Sequence, residues 1–214
     1  RDYQTELTCL ALKQTQKSGA CIISNSCSVK TEIDCKTKGG NFYKDKLCSN
    51  PSLETNCKKQ TSFGCVEGKD EVYWFDSCRN RENIYSSNKD VSWNNGEILG
   101  KNESCNSNSA NINSNSCGNC NYYLGSKCAS DGRNTKCINL NCPASKETGN
   151  MERKNGESWC VYDSFIGDGK DTVGSRHWKR MCIDGEVKIE PCADYRLQLC
   201  VQADTDLGDN KKIS

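Results

Sequence analysis

The sequence predicts a small disulfide-rich fold, mainly β and irregular, arranged as tandem loop-rich modules with short antiparallel strands. Three observations lead there. The chain carries 18 cysteines in 214 residues, the density of a disulfide scaffold. Leu, Ile, Val and Phe together supply only about one residue in six, below the share at which a chain without cross-links tends toward disorder. Strand-like runs are short and are separated by Asn, Ser and Gly. Ordering a residue costs roughly 1.5 kcal/mol, which so polar a chain cannot recover from buried hydrocarbon. A native disulfide contributes about 2–4 kcal/mol, so full pairing would exceed the net stability of an ordinary domain. All 18 cysteines are therefore expected in disulfides: Cys9, Cys21, Cys27, Cys35, Cys48, Cys57, Cys65, Cys78, Cys105, Cys117, Cys120, Cys128, Cys137, Cys142, Cys160, Cys182, Cys192 and Cys200.

Along the chain, Tyr3 to Leu12 places apolar side chains at Leu7, Leu10 and Leu12 and reads as a short strand. Glu71 to Phe75 (EVYWF) is the next strand signal. Ser87 to Gly100 carries the turn pair Asn95-Gly96 and little apolar periodicity, the mark of a module border. From Lys101 to Ser116 the run is low-complexity Asn and Ser, which reads as a surface loop pinned by Cys105. Ser158 to Tyr162 (SWCVY), Glu186 to Ile189 (EVKI) and Tyr195 to Val201 (YRLQLCV) are strand signals, the last alternating Tyr195, Leu197, Leu199 and Val201 on one face. An independently folded disulfide module holds an even number of cysteines. Parity therefore divides the chain into residues 1–98 with eight, 99–145 with six and 146–214 with four, the last joint falling between Lys146 and Gly156.

Disulfides on this scale persist only in an oxidising environment, which predicts an extracellular or cell-surface location. The first residues show no charged, apolar and small-residue leader, so an export signal is expected to have been removed. No run of about 18 apolar residues exists, so neither a membrane-spanning helix nor the long apolar helix of type IV pilins is expected. With 29 basic and 28 acidic residues the net charge is +1, too weak a field for a nucleic-acid partner. Near-neutral balance permits association with copies of the same chain. The polar ends, such as DTDLGDNKKIS, would fray unless neighbours held them.

The motifs that carry chemistry are sparse. Cys117-Gly-Asn-Cys120 is half of a zinc pattern whose second CxxC is missing, so disulfides outrank a metal there. Asn121 follows Cys120 where c-type haem attachment needs His. A lone His177 in VGSRHW and the absence of a GxSxG elbow leave no catalytic residue to name. Carboxylates at Asp163, Asp168 and Asp171, and at Asp204, Asp206 and Asp209, fit no EF-hand and read as solvated loops. No cofactor and no metal are expected. Most aromatics should fill the miniature cores, with Trp74, Trp93 and Trp178 as candidate interface or glycan contacts. Asn102-Glu103-Ser104 is an N-glycosylation sequon. The Asn-Gly pairs at Asn95 and Asn155 argue against a hyperthermophilic source.

At Val72 to Lys89, Ser116 to Cys128 and Asn155 to Cys200 the chain resembles cysteine-rich surface or secreted proteins encoded by small-celled uncultured archaea. The resemblance implies an envelope location and transfers no catalytic residue. The expected role is a non-enzymatic extracellular structural subunit of a filament, surface layer or adhesin, whose partners are copies of itself. The alternative is a monomeric module binding a glycan or a receptor on a partner cell.

Overall fold

A computed structural model describes residues 18–130, 132, 134–162, 177–191, 205–206 and 212–213. These residues form small antiparallel sheets with short helical turns between them, the mainly β, disulfide-rich class expected. They fall into two compact units: Arg1–Asn121 with Lys127–Ile138, and Tyr122–Ser126 with Asn139–Ser214.

The first unit opens with a three-stranded sheet of order β2-β1-β3, from β1 (Ser18–Ile23), β2 (Ser26–Thr31) and β3 (Asn41–Lys44). β1 and β2 are joined by Ser24 and Asn25, both at positive φ. Two such residues form the turn whose twist matches a hairpin. Thr31 then caps a six-residue helix, Glu32–Thr37, by accepting from the Asp34 backbone N–H at 3.3 Å. A second sheet has the order β4-β5-β6: β4 (Ser62–Cys65), β5 (Val72–Phe75) and β6 (Arg81–Ile84). A helix at Lys89–Trp93 follows, and β7 (Ser126–Ser130) pairs with β8 (Thr135–Asn139). The second unit is built on β9 (Ser158–Tyr162), β10 (His177–Ile183) and β11 (Glu186–Pro191), with β10 central. Asp184 and Gly185, both at positive φ, close the β10–β11 hairpin. β12 (Thr205–Asp206) pairs with β13 (Lys212–Ile213).

Seven disulfides join described cysteines: Cys21–Cys35, Cys27–Cys48, Cys57–Cys78, Cys65–Cys128, Cys105–Cys117, Cys120–Cys137 and Cys142–Cys182. Cys160 is disulfide-bonded as well, whereas Cys9, Cys192 and Cys200 lie outside the described residues. The sulfurs are also the core. Ala20, Cys27, Cys48 and Cys57 form one cluster; Val72, Cys120 and Cys137 a second; Cys142, Trp159 and Cys182 a third. Cystine here takes the place of Leu and Ile, as a small apolar group among the most readily buried.

Two disulfides correct the three-module division. Cys65–Cys128 crosses the border placed at residue 98, and Cys142–Cys182 crosses the one at 145. Parity constrains a module only if its bonds close within it. The stretch Ser87–Gly100 is not a loose joint either. Asn50 Nδ2 donates to the carbonyls of Asn95 (3.2 Å) and Gly96 (3.0 Å), and Asn83 Nδ2 donates to those of Ser92 (2.9 Å) and Glu97 (2.8 Å). Buried side-chain amides thus satisfy the backbone that a strand ladder would otherwise satisfy.

The Asn/Ser run is likewise more than surface loop. Asn111 is buried and donates to the carbonyls of Asn106, Ser109 and Asn119, at 3.0, 3.0 and 2.8 Å. Low complexity hid an internal polar core. Tyr3 to Leu12 and Tyr195 to Val201 lie outside the described residues.

Candidate functional site

The register of β4 against β5 sets Phe63 opposite Trp74. Their rings meet edge to face at 5.5 Å, and Tyr85, just beyond β6, packs 4.9 Å from Trp74 and 4.7 Å from Phe63. Trp74 is only 5% exposed, whereas Phe63 is 45% exposed. The three rings therefore form a cluster with Trp74 as its buried base and Phe63 as its open side, and Lys89 Nζ lies 4.9 Å from the Trp74 ring centre.

Phe63 and Tyr85 line a groove of about 270 Å³ whose other walls are Ser114, Asn115, Thr135 and Lys136. Asn134 completes the lining. The walls are fixed covalently. Cys105–Cys117 holds the 114–115 segment, and Cys120–Cys137 holds β8, which carries Thr135 and Lys136. Asn113 N donates to Cys137 O at 2.8 Å, which joins the two walls, and Tyr85 Oη donates to Asn115 O at 3.1 Å. One apolar ring face beside hydroxyl, amide and ammonium groups matches a sugar ring, which offers C–H groups on a face and hydroxyls at its edge.

Ionisable groups with displaced pKa lie elsewhere. Burial alone would raise the Glu71 carboxyl, but the Lys101 ammonium at 2.5 Å and the Tyr73 hydroxyl at 2.9 Å outweigh it and hold it low. Burial and the neighbouring Glu71 push the Tyr73 hydroxyl up. Burial also raises Glu82, despite hydrogen bonds from Ser49 Oγ and from the Gln60 backbone N–H at 2.7 Å. None of the three lines the groove. Each is enclosed by its own partners, so the arrangement reads as structural.

The structure distributes the sequence candidates as follows. Trp74 is core, which corrects its place among the contact tryptophans. Trp93 is half-buried, donates from Nε1 to Ser49 Oγ at 3.1 Å and carries Lys59 Nζ 3.8 Å from its ring centre. Trp178 is half-buried on β10. The structure does not bring these three together in the groove. Asn102 is exposed within the short helical turn Lys101–Glu103. Cys117 and Cys120 bond to Cys105 and Cys137, so neither thiol of the CxxC pair is available to a metal. Cys57, Asp76 and Cys78 come within metal-ligand range of one another, but the Cys57–Cys78 disulfide occupies both sulfurs. Asp163, Asp168, Asp171, Asp204 and Asp209 lie outside the described residues, as do the side chains of His177 and Asp206.

Sequence reasoning missed Phe63 and Tyr85. Phe63 sits in SFGC and Tyr85 in NIYSS, and no spacing within the sequence links either to the Asn and Ser residues that wall the groove. No protein-family model matches the chain, and neither a curated protein nor a solved structure does.

Proposed function

We propose that this protein is a non-enzymatic extracellular structural and adhesive subunit that recognises glycans through the Phe63–Tyr85 groove. The disulfides point to an extracellular compartment, and no helix among the described residues is long and apolar enough to cross a membrane. An archaeal envelope is the setting that the sequence resemblance implies. The observation that carries the reading is the half-exposed Phe63 ring, packed on the buried Trp74 beside the half-buried Tyr85, between polar walls that disulfides hold in place. A rigid platform loses little conformational entropy on binding, which suits adhesion to weakly bound sugars. In this reading Asn102, exposed on a turn, carries an N-linked glycan; Asn102→Gln would abolish the mass shift seen by mass spectrometry in a glycosylating host.

The test is a neutral-glycan array followed by calorimetry. Wild type binds at least one sugar class, and Phe63→Ala weakens it by about tenfold, the loss of one stacked ring, while the melting temperature stays within a few degrees. Blank arrays, or unchanged affinity in Phe63→Ala, would overturn the assignment.

A second reading, polymerisation with copies of the same chain, is favoured by Tyr123 and Leu124. They are 92% and 41% exposed on the turn Tyr122–Leu124, a surface suited to a subunit contact. Light scattering of concentrated protein should then show assemblies that Tyr123→Ala disperses; a monodisperse monomer excludes this reading.

A further inference from the structure

A second groove, of about 510 Å³, opens elsewhere in the first unit and has a different chemistry. Its lining includes three cations, Lys30, Arg79 and Arg81, against one carboxylate, Asp34. Asp34 already accepts the Thr31 hydroxyl at 2.8 Å. Lys30, Arg79 and Arg81 make no ion pair with a carboxylate among the described residues, although 29 basic residues meet 28 acidic ones over the whole chain. Uncompensated positive charge in a concave site focuses the field there and attracts anions.

The cations are held, not merely present. Cys78, immediately before Arg79, is tied to Cys57. The buried Asp76 carboxylate accepts from the Asn80 backbone N–H at 2.8 Å and from Asn80 Nδ2 at 2.9 Å, and the same Nδ2 reaches Cys27 O on β2 at 3.2 Å. This pins the Arg79–Arg81 turn against the strand that carries Lys30. Arg79 itself sits at φ +66, a left-handed conformation that a side chain adopts at a cost and that glycine would adopt freely. Arg81 lies 5.0 Å from the Tyr73 ring centre, which fixes its planar fork.

We propose that this groove binds an acidic saccharide through its carboxylate or sulfate groups. Arginine forks match the two oxygens of such a group, and the groove is larger than one small anion needs. The Ser18 hydroxyl and the short apolar faces of Val29 and Val66 suit the rest of a sugar unit. The assignment does not depend on the Phe63 groove, which carries a single cation.

Calorimetry on the whole protein tests it, with four probes at low and at high salt: a sulfated hexasaccharide, a uronate hexasaccharide, neutral maltohexaose and hexaglutamate. One or both acidic saccharides bind, the affinity falls with salt, and maltohexaose does not compete. Which acidic probe binds distinguishes sulfate from carboxylate. Arg79→Gly and Arg81→Ala each lower the affinity by about tenfold, whereas Lys36→Ala, outside the groove, leaves it unchanged. Arg79→Gly also melts no lower than wild type, because glycine relieves the left-handed residue, so loss of binding there cannot be loss of fold. Equal binding of maltohexaose, unaltered affinity in both arginine variants, or hexaglutamate binding as tightly as the saccharides would overturn the proposal.

Discussion

Single polar side chains do here what hydrocarbon does in larger cores. Asn119, 1% exposed, donates from Nδ2 to the carbonyls of Lys101 at 3.1 Å and Cys105 at 3.0 Å, and its own carbonyl accepts from Asn111. Asn119→Ala leaves two half-buried carbonyls without that donor, at about 1 kcal/mol each. Urea unfolding with the disulfides intact should show the loss, and Asn119→Asp, which keeps the shape but cannot donate, should not restore it. Glu71 gives a pH-dependent case. Its folded pKa is depressed, so its contribution is present above the unfolded value and is lost as pH falls through the folded one. Glu71→Gln should cost about 1–3 kcal/mol at neutral pH, and the gap to wild type should close in acid. Glu82, raised by burial, has the opposite sign: its ionisation opposes folding, and acid relieves it. These roles were not legible in the sequence. An Asn in NSNSANINSNSCGN looks the same whether it faces water or three carbonyls, because the difference lies in which loop returns to meet it.

Elements of four to seven residues cannot stand alone, and their neighbours decide them. The strands anticipated at Glu71–Phe75, Ser158–Tyr162 and Glu186–Ile189 are β5, β9 and β11, since aromatic and β-branched residues favour a pleated, half-buried surface. β3, β6, β10, β12 and β13 were not anticipated, and neither were β1, β2, β4, β7 and β8. The sequences of these last five, such as SCSVKT and SKCAS, are too polar to show alternation, and cysteine is the residue that each turns inward or ties down. Asp184-Gly185 was a usable hairpin signal between β10 and β11. Gly118 shows how tightly such elements fit. Its N–H donates to Tyr85 O and its carbonyl accepts from Val72 N, both at 2.9 Å, and a Cβ there would lie 2.6 Å from Val72 Cβ and 3.0 Å from Tyr85 Cβ. Gly118→Ala should destabilise by about 1–3 kcal/mol and, by displacing Tyr85, should weaken any ligand of the Phe63 groove. Unchanged thermal unfolding would mean that the contact relaxes freely.

At the scale of the whole molecule, stability is a matter of chain connectivity. Reduction under native conditions should abolish the near-ultraviolet circular dichroism of the buried tryptophans, with no added denaturant. Among the described bridges, Cys65–Cys128 closes the longest loop, 63 residues. Removing it by Cys65→Ala with Cys128→Ala should cost about 4 kcal/mol on the loop-entropy scale, more than any of the shorter loops. Urea titration of the two-cysteine variant, beside one lacking the 12-residue Cys105–Cys117 loop, checks the ordering. The sequence by itself determined the fold class and pointed to the compartment, because cysteine count and apolar content are sums over residues and need no coordinates. Only the tertiary structure decided which cysteines pair, that the chain divides into two units, and that Phe63 and Tyr85 meet Ser114 and Thr135 while Trp74 is buried beneath them. Pairing and burial depend on which distant segments come together, and a polar chain of short strands leaves almost no periodic trace of that choice.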